Sequence, residues 1–169
     1  MKITALEEYG LRCLLQLARG QKEADGSLSI RTIAEREGLS IEYVSKITAQ
    51  LRKAGLIEST RGIRGGYRLR NDASHVTLWH ASQALSQTFF NSTFCMDHAG
   101  DETECVHHKD CSIRSVWNVI ADRITQVMRK ITLEDLLSNE SKTDGKLMQI
   151  IPPKEKINPK KRINLTNLS

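Results

Sequence analysis

The chain has 169 residues, 39% of them apolar, and a net charge of +5 from 25 Lys/Arg and 20 Asp/Glu. That is enough for one buried domain of ordinary size, or a small module with a dimerisation arm. No run of about 18 apolar residues occurs, so no membrane-spanning helix is expected. Met1-Lys2-Ile3-Thr4 lacks the apolar stretch of a secretory leader, which points to the cytoplasm.

Thr4 can cap a first helix whose positions Leu6, Gly10, Cys13, Leu14 and Leu17 recur at helical spacing, ending at Gly20. Ser29 caps a short second helix through Ile30, Ile33 and Ala34 that stops at Gly38. Ser40 caps a third, with Ile41, Val44, Ile47, Ala49 and Leu51 as its mostly apolar positions, ending near Gly55. Two helices joined by Glu37-Gly38-Leu39-Ser40 predict a helix-turn-helix, the glycine supplying the tight turn. Leu56 to Thr60 and Tyr67 to Arg70 then read as two short strands around Arg61-Gly62-Ile63-Arg64-Gly65-Gly66, a hairpin wing. Thr77 caps a fourth helix to about Leu85.

A polar loop follows. Beyond it, Ile113, Trp117, Ile120, Ile124, Val127 and Ile131 alternate in steps of four and three, a heptad-like seam about 30 Å long. Such a seam wants a partner helix, most simply its own copy across a two-fold axis. Thr132 can cap a short last helix, Leu133 to Leu137, after which the polar, basic sequence predicts disorder. The fold class expected is mainly α: a winged helix-turn-helix with a small β-hairpin wing and a long C-terminal dimerisation helix. The expected organisation is a DNA-binding domain over 1–85, a cysteine-bearing loop over 86–111, the dimerisation helix and its short follower over 112–137, and a tail over 138–169.

Charge separates two working regions. Arg52 to Arg70 carries six basic residues against Glu58 alone, whereas Cys95 to Cys111 carries five acids against Lys109. Most of the remaining excess sits in the tail, where seven Lys/Arg meet three Asp/Glu, so overall basicity says little about partners. A recognition helix sets its N-terminal residues against base edges in the major groove. Here those are Ser40, Ile41, Glu42, Tyr43, Ser45 and Lys46. Glu42 can accept from a cytosine amino group, Ser40 and Ser45 can bond bases or phosphates, and Tyr43 and Lys46 can hold the backbone. Arg61 and Arg64 on the wing can enter the adjacent minor groove or bind phosphate. Double-stranded DNA is the partner this pattern implies.

Three of the four cysteines, Cys95, Cys105 and Cys111, fall in the polar loop, while Cys13 lies on the apolar face of the first helix as a core thiol. Thiolates are soft ligands suited to iron–sulfur clusters, zinc or copper(I). Three is one short of a full set, with His98, His107 and His108 nearby and acids such as Glu8 available from elsewhere. A zinc site and a thiol–disulfide switch remain open beside a cluster. No nucleotide-binding glycine motif, nucleophile elbow or paired acid–base signature occurs, so an enzyme is not expected.

Several separate stretches together carry a resemblance: Met1-Lys2-Ile3-Thr4; Ile30-Arg31-Thr32-Ile33-Ala34-Glu35; Leu51-Arg52-Lys53-Ala54-Gly55-Leu56-Ile57; Arg61-Gly62 with Gly65-Gly66-Tyr67-Arg68-Leu69; and Ile131-Thr132-Leu133-Glu134-Asp135-Leu136-Leu137. In this order they resemble the winged-helix family of IscR and NsrR, from Met1 to about Leu137. The resemblance implies a homodimeric transcriptional regulator whose affinity for its operator is controlled by a [2Fe-2S] or [4Fe-4S] cluster on Cys95, Cys105 and Cys111, sensing nitric oxide, iron or redox state. Two departures stand out. The first cysteine interval is nine residues rather than five, an insertion of the Ala99-Gly100-Asp101-Glu102 type, and Arg114 occupies the place where IscR-like proteins have a ligating histidine. NsrR-like proteins use instead an aspartate in the first helix of the opposite subunit, and the matching residue is Glu8.

Overall fold

A computed structural model describes residues 3–23, 26–62, 65–85, 99, 101 and 104–151. Cys95, His98, Arg64 and the tail from Pro152 onward lie outside the described residues.

Helix α1 (Ala5–Gly20) starts with a reciprocal cap. The Thr4 hydroxyl oxygen accepts from the Glu7 N–H at 3.2 Å, and the Glu7 carboxylate accepts from the Thr4 N–H at 2.8 Å. Its inward face places Cys13, Leu14 and Leu17 in the core with almost no exposure. Helix α2 (Ile30–Glu37) is capped by Ser29 and stopped by Gly38, whose φ of 66° lies in the left-handed region that glycine enters without strain. Ser40 caps α3 (Ile41–Lys53), which buries Val44, Ile47, Thr48 and Leu51. The helix-turn-helix is as the sequence predicts.

Strands β1 (Ile57–Thr60) and β2 (Gly66–Leu69) pair antiparallel, Ile57 opposite Leu69 and Thr60 opposite Gly66. The predicted ends, Leu56 and Arg70, lie just outside, still joined by the Arg70 N–H to the Leu56 carbonyl at 3.0 Å. On the other edge of β2, Leu28 exchanges both backbone hydrogen bonds with Tyr67, at 2.9 and 2.8 Å. This ties the wing to the start of α2. Helix α4 (Leu78–Leu85) begins at Thr77, whose hydroxyl accepts from the His80 N–H. One continuous core joins these elements, and each fully buried Leu or Ile in it contributes about 1.5–3 kcal/mol.

Helix α5 (Ser112–Lys130) follows the loop, and none of its residues is buried in the single chain. The seam predicted from Ile113 to Ile131 divides. Ile113, Val116, Trp117, Val119 and Ile120 stand in solvent, with Trp117 still 47% exposed, whereas Ile124, Val127 and Met128 lie half-buried against α1 and α4. Ile131 leaves the helix altogether. Its backbone is extended, its carbonyl accepts from the Leu78 N–H, and its side chain is buried at 5% exposure. The β-branched pair Ile131-Thr132 favours that extended path, and Thr132 bridges Thr77.

The short helix expected over Leu133–Leu137 is a single 3₁₀ turn, Glu134–Leu136. Its N-cap is Leu133 rather than the expected Thr132, which stands one residue earlier with its hydroxyl accepting from the Asp135 N–H at 3.3 Å. The disorder expected from Ser138 is corrected for the described part of the tail: α6 (Glu140–Ile150) forms there. Composition counts charges and misses the local signals. Asn139 caps the helix by accepting from the Lys142 N–H, and Lys146 reaches Asp135 at 3.8 Å. Among the described residues, no helix is long and apolar enough to cross a membrane.

Candidate functional site

The outer face of α3 follows from its inner one. With Val44, Ile47 and Leu51 buried, Glu42, Ser45, Lys46 and Ala49 form an exposed stripe that runs on to Lys53. Ile41 is also exposed. Ser40 is exposed but its hydroxyl oxygen is engaged by the Tyr43 N–H at 3.1 Å, leaving the O–H proton free to donate outward. Tyr43 differs from the other predicted contacts. It is half-buried, its ring edge-to-face on Tyr9 with centroids 5.8 Å apart, so it ties α3 to α1. Arg61 is exposed on the wing.

Behind α3 lies a polar cluster that the sequence does not announce. Glu37, only 8% exposed in its side chain, accepts from the Arg12 guanidinium at 2.6 Å and also holds the Gln16 amide. Arg12 further donates to the Glu37 backbone carbonyl at 3.0 Å and lies 5.4 Å from the Tyr9 ring centroid. The hydrogen bond that Arg12 donates to Glu37, together with the carboxylate's charge, raises the Arg12 pKa. Residues 25 apart in the chain meet here, so no local spacing could reveal the pair. The cluster fixes the helix-turn-helix corner to α1.

The thiol region stands at the other end of the molecule's logic, where the loop enters α5. Cys105 and Cys111 are both half-buried and both free thiols. Cys111 is the N-cap of α5, and its Sγ accepts from the Arg114 N–H at 3.4 Å. Among the described residues, no three His, Cys, Asp or Glu side chains come together in a group able to hold a metal, and Cys95 lies outside those residues. His107 and His108 are exposed, with His108 Nε2 3.2 Å from Glu104. Three thiolates with a carboxylate nevertheless suit an iron–sulfur cluster. The positive end of α5, already donating to sulfur, suits an anionic group.

Glu8 is exposed on α1. It borders an apolar groove of about 500 Å³ between α1, α4 and the C-terminal half of α5, opposite Arg123, Ile124, Val127 and Met128. Along a helix rising 1.5 Å per residue, Arg123 stands about 18 Å from Cys111. Within one chain, therefore, Glu8 and the cysteine end of α5 are not brought together.

Three capped helices, a hairpin wing tied to the second of them and an exposed stripe on the third define a winged helix-turn-helix protein. The model of the Rrf2 family, described as iron-dependent transcriptional regulators, matches residues 3–139. The chain belongs to that family and is a transcriptional regulator that binds DNA, not an enzyme. It is 31% identical over 144 residues to the HTH-type transcriptional regulator IscR of Photorhabdus laumondii, covering 85% of this chain and 84% of that protein. Among solved structures, IscR of T. potens superposes with a TM-score of 0.63 at 30% identity, covering 81% of this chain and 86% of that one. The oxidised form of Staphylococcus aureus CymR gives 0.59 at 30% identity, covering 82% and 98%.

Proposed function

We propose that this regulator works as a homodimer whose operator affinity is set by an iron–sulfur cluster held on Cys95, Cys105 and Cys111, with Glu8 supplied by the partner chain. One observation carries the reading: Cys111 caps the helix whose first turns present the unpartnered apolar face. Any group bound to that sulfur therefore acts on the element that joins two copies. When bound, a cluster supplies thiolate bonds that nitric oxide, oxidants or iron shortage can break. The chain's own residues do the rest. Cys105 and Cys111 anchor the loop to the first turn of α5, Ile113, Trp117 and Ile120 meet a second α5, and the pairing sets the distance between the two α3 helices.

On DNA, Glu42, Ser45 and Lys46 read or grip the major groove with Ser40 and Ile41 at its edge, and Arg61 and Arg64 take the flanking groove or phosphates. Tyr43 contributes mainly by holding α3 on α1. Residues 1–85 act as the reader, 86–111 as the sensor loop and 112–137 as the coupling arm, with 138–169 appended.

A second reading has its own support. Cys105 and Cys111 are both free and partly accessible, and the CymR relative is known in an oxidised form. A thiol–disulfide switch, or a zinc site in the same loop, would use the same lever without iron. Anaerobic purification followed by absorption spectroscopy and iron and sulfide assay separates the readings. A brown protein with matched iron and sulfide, lost in Cys105→Ala, and with operator affinity at least tenfold different between cluster-bound and cluster-free forms, is the expected result. The operator is obtained by selection from random duplexes. A colourless zinc protein, or equal affinity in both forms, rejects the cluster mechanism.

A further inference from the structure

Arg114 stands where IscR-like proteins have a ligating histidine, and the structure gives it different work. One terminal nitrogen of its guanidinium donates to two successive backbone carbonyls of the loop, His107 at 3.0 Å and His108 at 2.5 Å. The same residue's backbone N–H donates to Cys111 Sγ. The loop closes on itself through the His108 N–H, which donates to the Cys105 carbonyl at 2.8 Å. These bonds form a circuit: Cys105 to His108 through the turn, His107 and His108 to Arg114 through the guanidinium, Arg114 to Cys111 through the first turn of α5. Arg114 is half-buried in a stretch whose flanking residues are mostly exposed. It therefore holds a polar segment that has few apolar contacts to order it.

We propose that Arg114 is a positioning residue that orders the loop before any ligand arrives, setting Cys105 against the Cys111 end of α5 in the empty protein. The inference deepens the proposed cysteine site and rests on it only for the consequence, not for the pin itself. Ordering a flexible segment costs backbone conformational entropy. A chain that has met this cost through its own hydrogen bonds binds its metal group more tightly, because less remains to be ordered on binding. Arginine suits the task better than the histidine it replaces. It reaches both carbonyls from one terminal guanidinium nitrogen, while leaving the sulfurs to the ligand.

Two readouts on the full chain test this, with Arg114→Met as the variant and Lys109→Met as the control. Lys109 is an exposed cation of the same loop with no hydrogen bond or ion pair among the described residues, so its loss removes the charge but not the pin. The first readout needs no metal: hydrogen exchange of the His108 amide in the metal-free protein. It should quicken about tenfold in Arg114→Met and stay unchanged in Lys109→Met. The second is cobalt(II) titration of the metal-free protein, followed by its thiolate charge-transfer absorption. Dissociation should rise roughly 10- to 100-fold in Arg114→Met, as for other residues that orient ligands, and little in Lys109→Met. Unchanged exchange at His108 in Arg114→Met overturns the proposal, as does equal weakening by both variants. If exchange changes as expected but even the unmodified chain binds no cobalt, the pin stands and the metal reading of the cysteines falls.

Discussion

Cys13 and Arg114 illustrate how differently one chain treats its sulfur chemistry at the scale of single residues. Cys13 is fully buried in α1. Burial in apolar surroundings pushes its thiol up to about 12, with the nearby Glu37 carboxylate adding to the effect. The sign of the consequence is fixed. Between the unfolded value near 9.0 and the folded value the native state holds a proton that the unfolded chain releases, so stability is full below pH 9 and falls as pH rises towards 12. The slope from this group approaches about 1.4 kcal/mol per pH unit. Denaturation midpoints measured from pH 8 to 11 should fall more steeply in the unmodified protein than in Cys13→Ala, which removes this contribution. Equal slopes would mean that the buried thiol already ionises in the fold. Cys105 and Cys111 sit half-buried and polar instead, open to ligands. The separation of one packed cysteine from the loop group was legible from helical spacing alone. The pins around it, Glu37 on Arg12 and Arg114 on the loop carbonyls, were not, because their partners are backbone atoms or lie far along the chain.

Among the elements, the wing depends on one close approach. A Cβ placed on Gly66 would lie 2.3 Å from the Leu28 carbonyl oxygen, a backbone atom that cannot swing aside. Gly66→Ala should therefore break the paired hydrogen bonds between Leu28 and Tyr67 and destabilise the protein by about 2 kcal/mol, within the usual range for a backbone clash. Operator affinity should fall with it, because the wing loses its attachment to α2. Chemical denaturation and amide exchange at Leu28 and Tyr67 check the first claim. Exchange as slow as in the unmodified chain would show that the strand edge accommodates the methyl. The glycine cluster signalled a hairpin from sequence, but only the third chain segment at the edge of β2 explains why a methyl cannot be added. The same holds for the helices. Caps at Thr4, Ser29, Ser40, Thr77 and Asn139 are all local signals. Asn139 gives such a signal inside a tail whose polar, basic composition points to disorder, and the local cap prevails. Ile131 kept the heptad step yet went to the core, since periodicity records spacing and not which neighbour each side chain meets.

At the level of the whole molecule, the face of α5 is divided in a way that supports the proposed homodimer. Its C-terminal half packs on α4 and borders the groove shared with α1, while Ile113, Val116, Trp117 and Ile120 stay 42–65% exposed. An exposed row of large apolar residues on a helix with nothing buried asks for a second copy. Glu8 bears on the same question from another direction, since it borders the groove beside Arg123, and Cys111 stands about 18 Å from Arg123 along α5. If Glu8 acts across the dimer, subunit mixing must show it. Cys105→Ala keeps Glu8 but has no complete cysteine set, and Glu8→Ala keeps the cysteines but lacks the carboxylate. Neither homodimer should hold a stable cluster. In a hybrid of the two, one site loses both contributions. The other combines the intact cysteines of the Glu8→Ala chain with the intact Glu8 of its partner. Mixing under exchange conditions and anaerobic reconstitution should then restore stable cluster on about a quarter of the sites, half the dimers being hybrids with one complete site each, by equal random pairing. Were the carboxylate to serve its own chain, no hybrid site would be complete and the mixture would stay as unstable as its components.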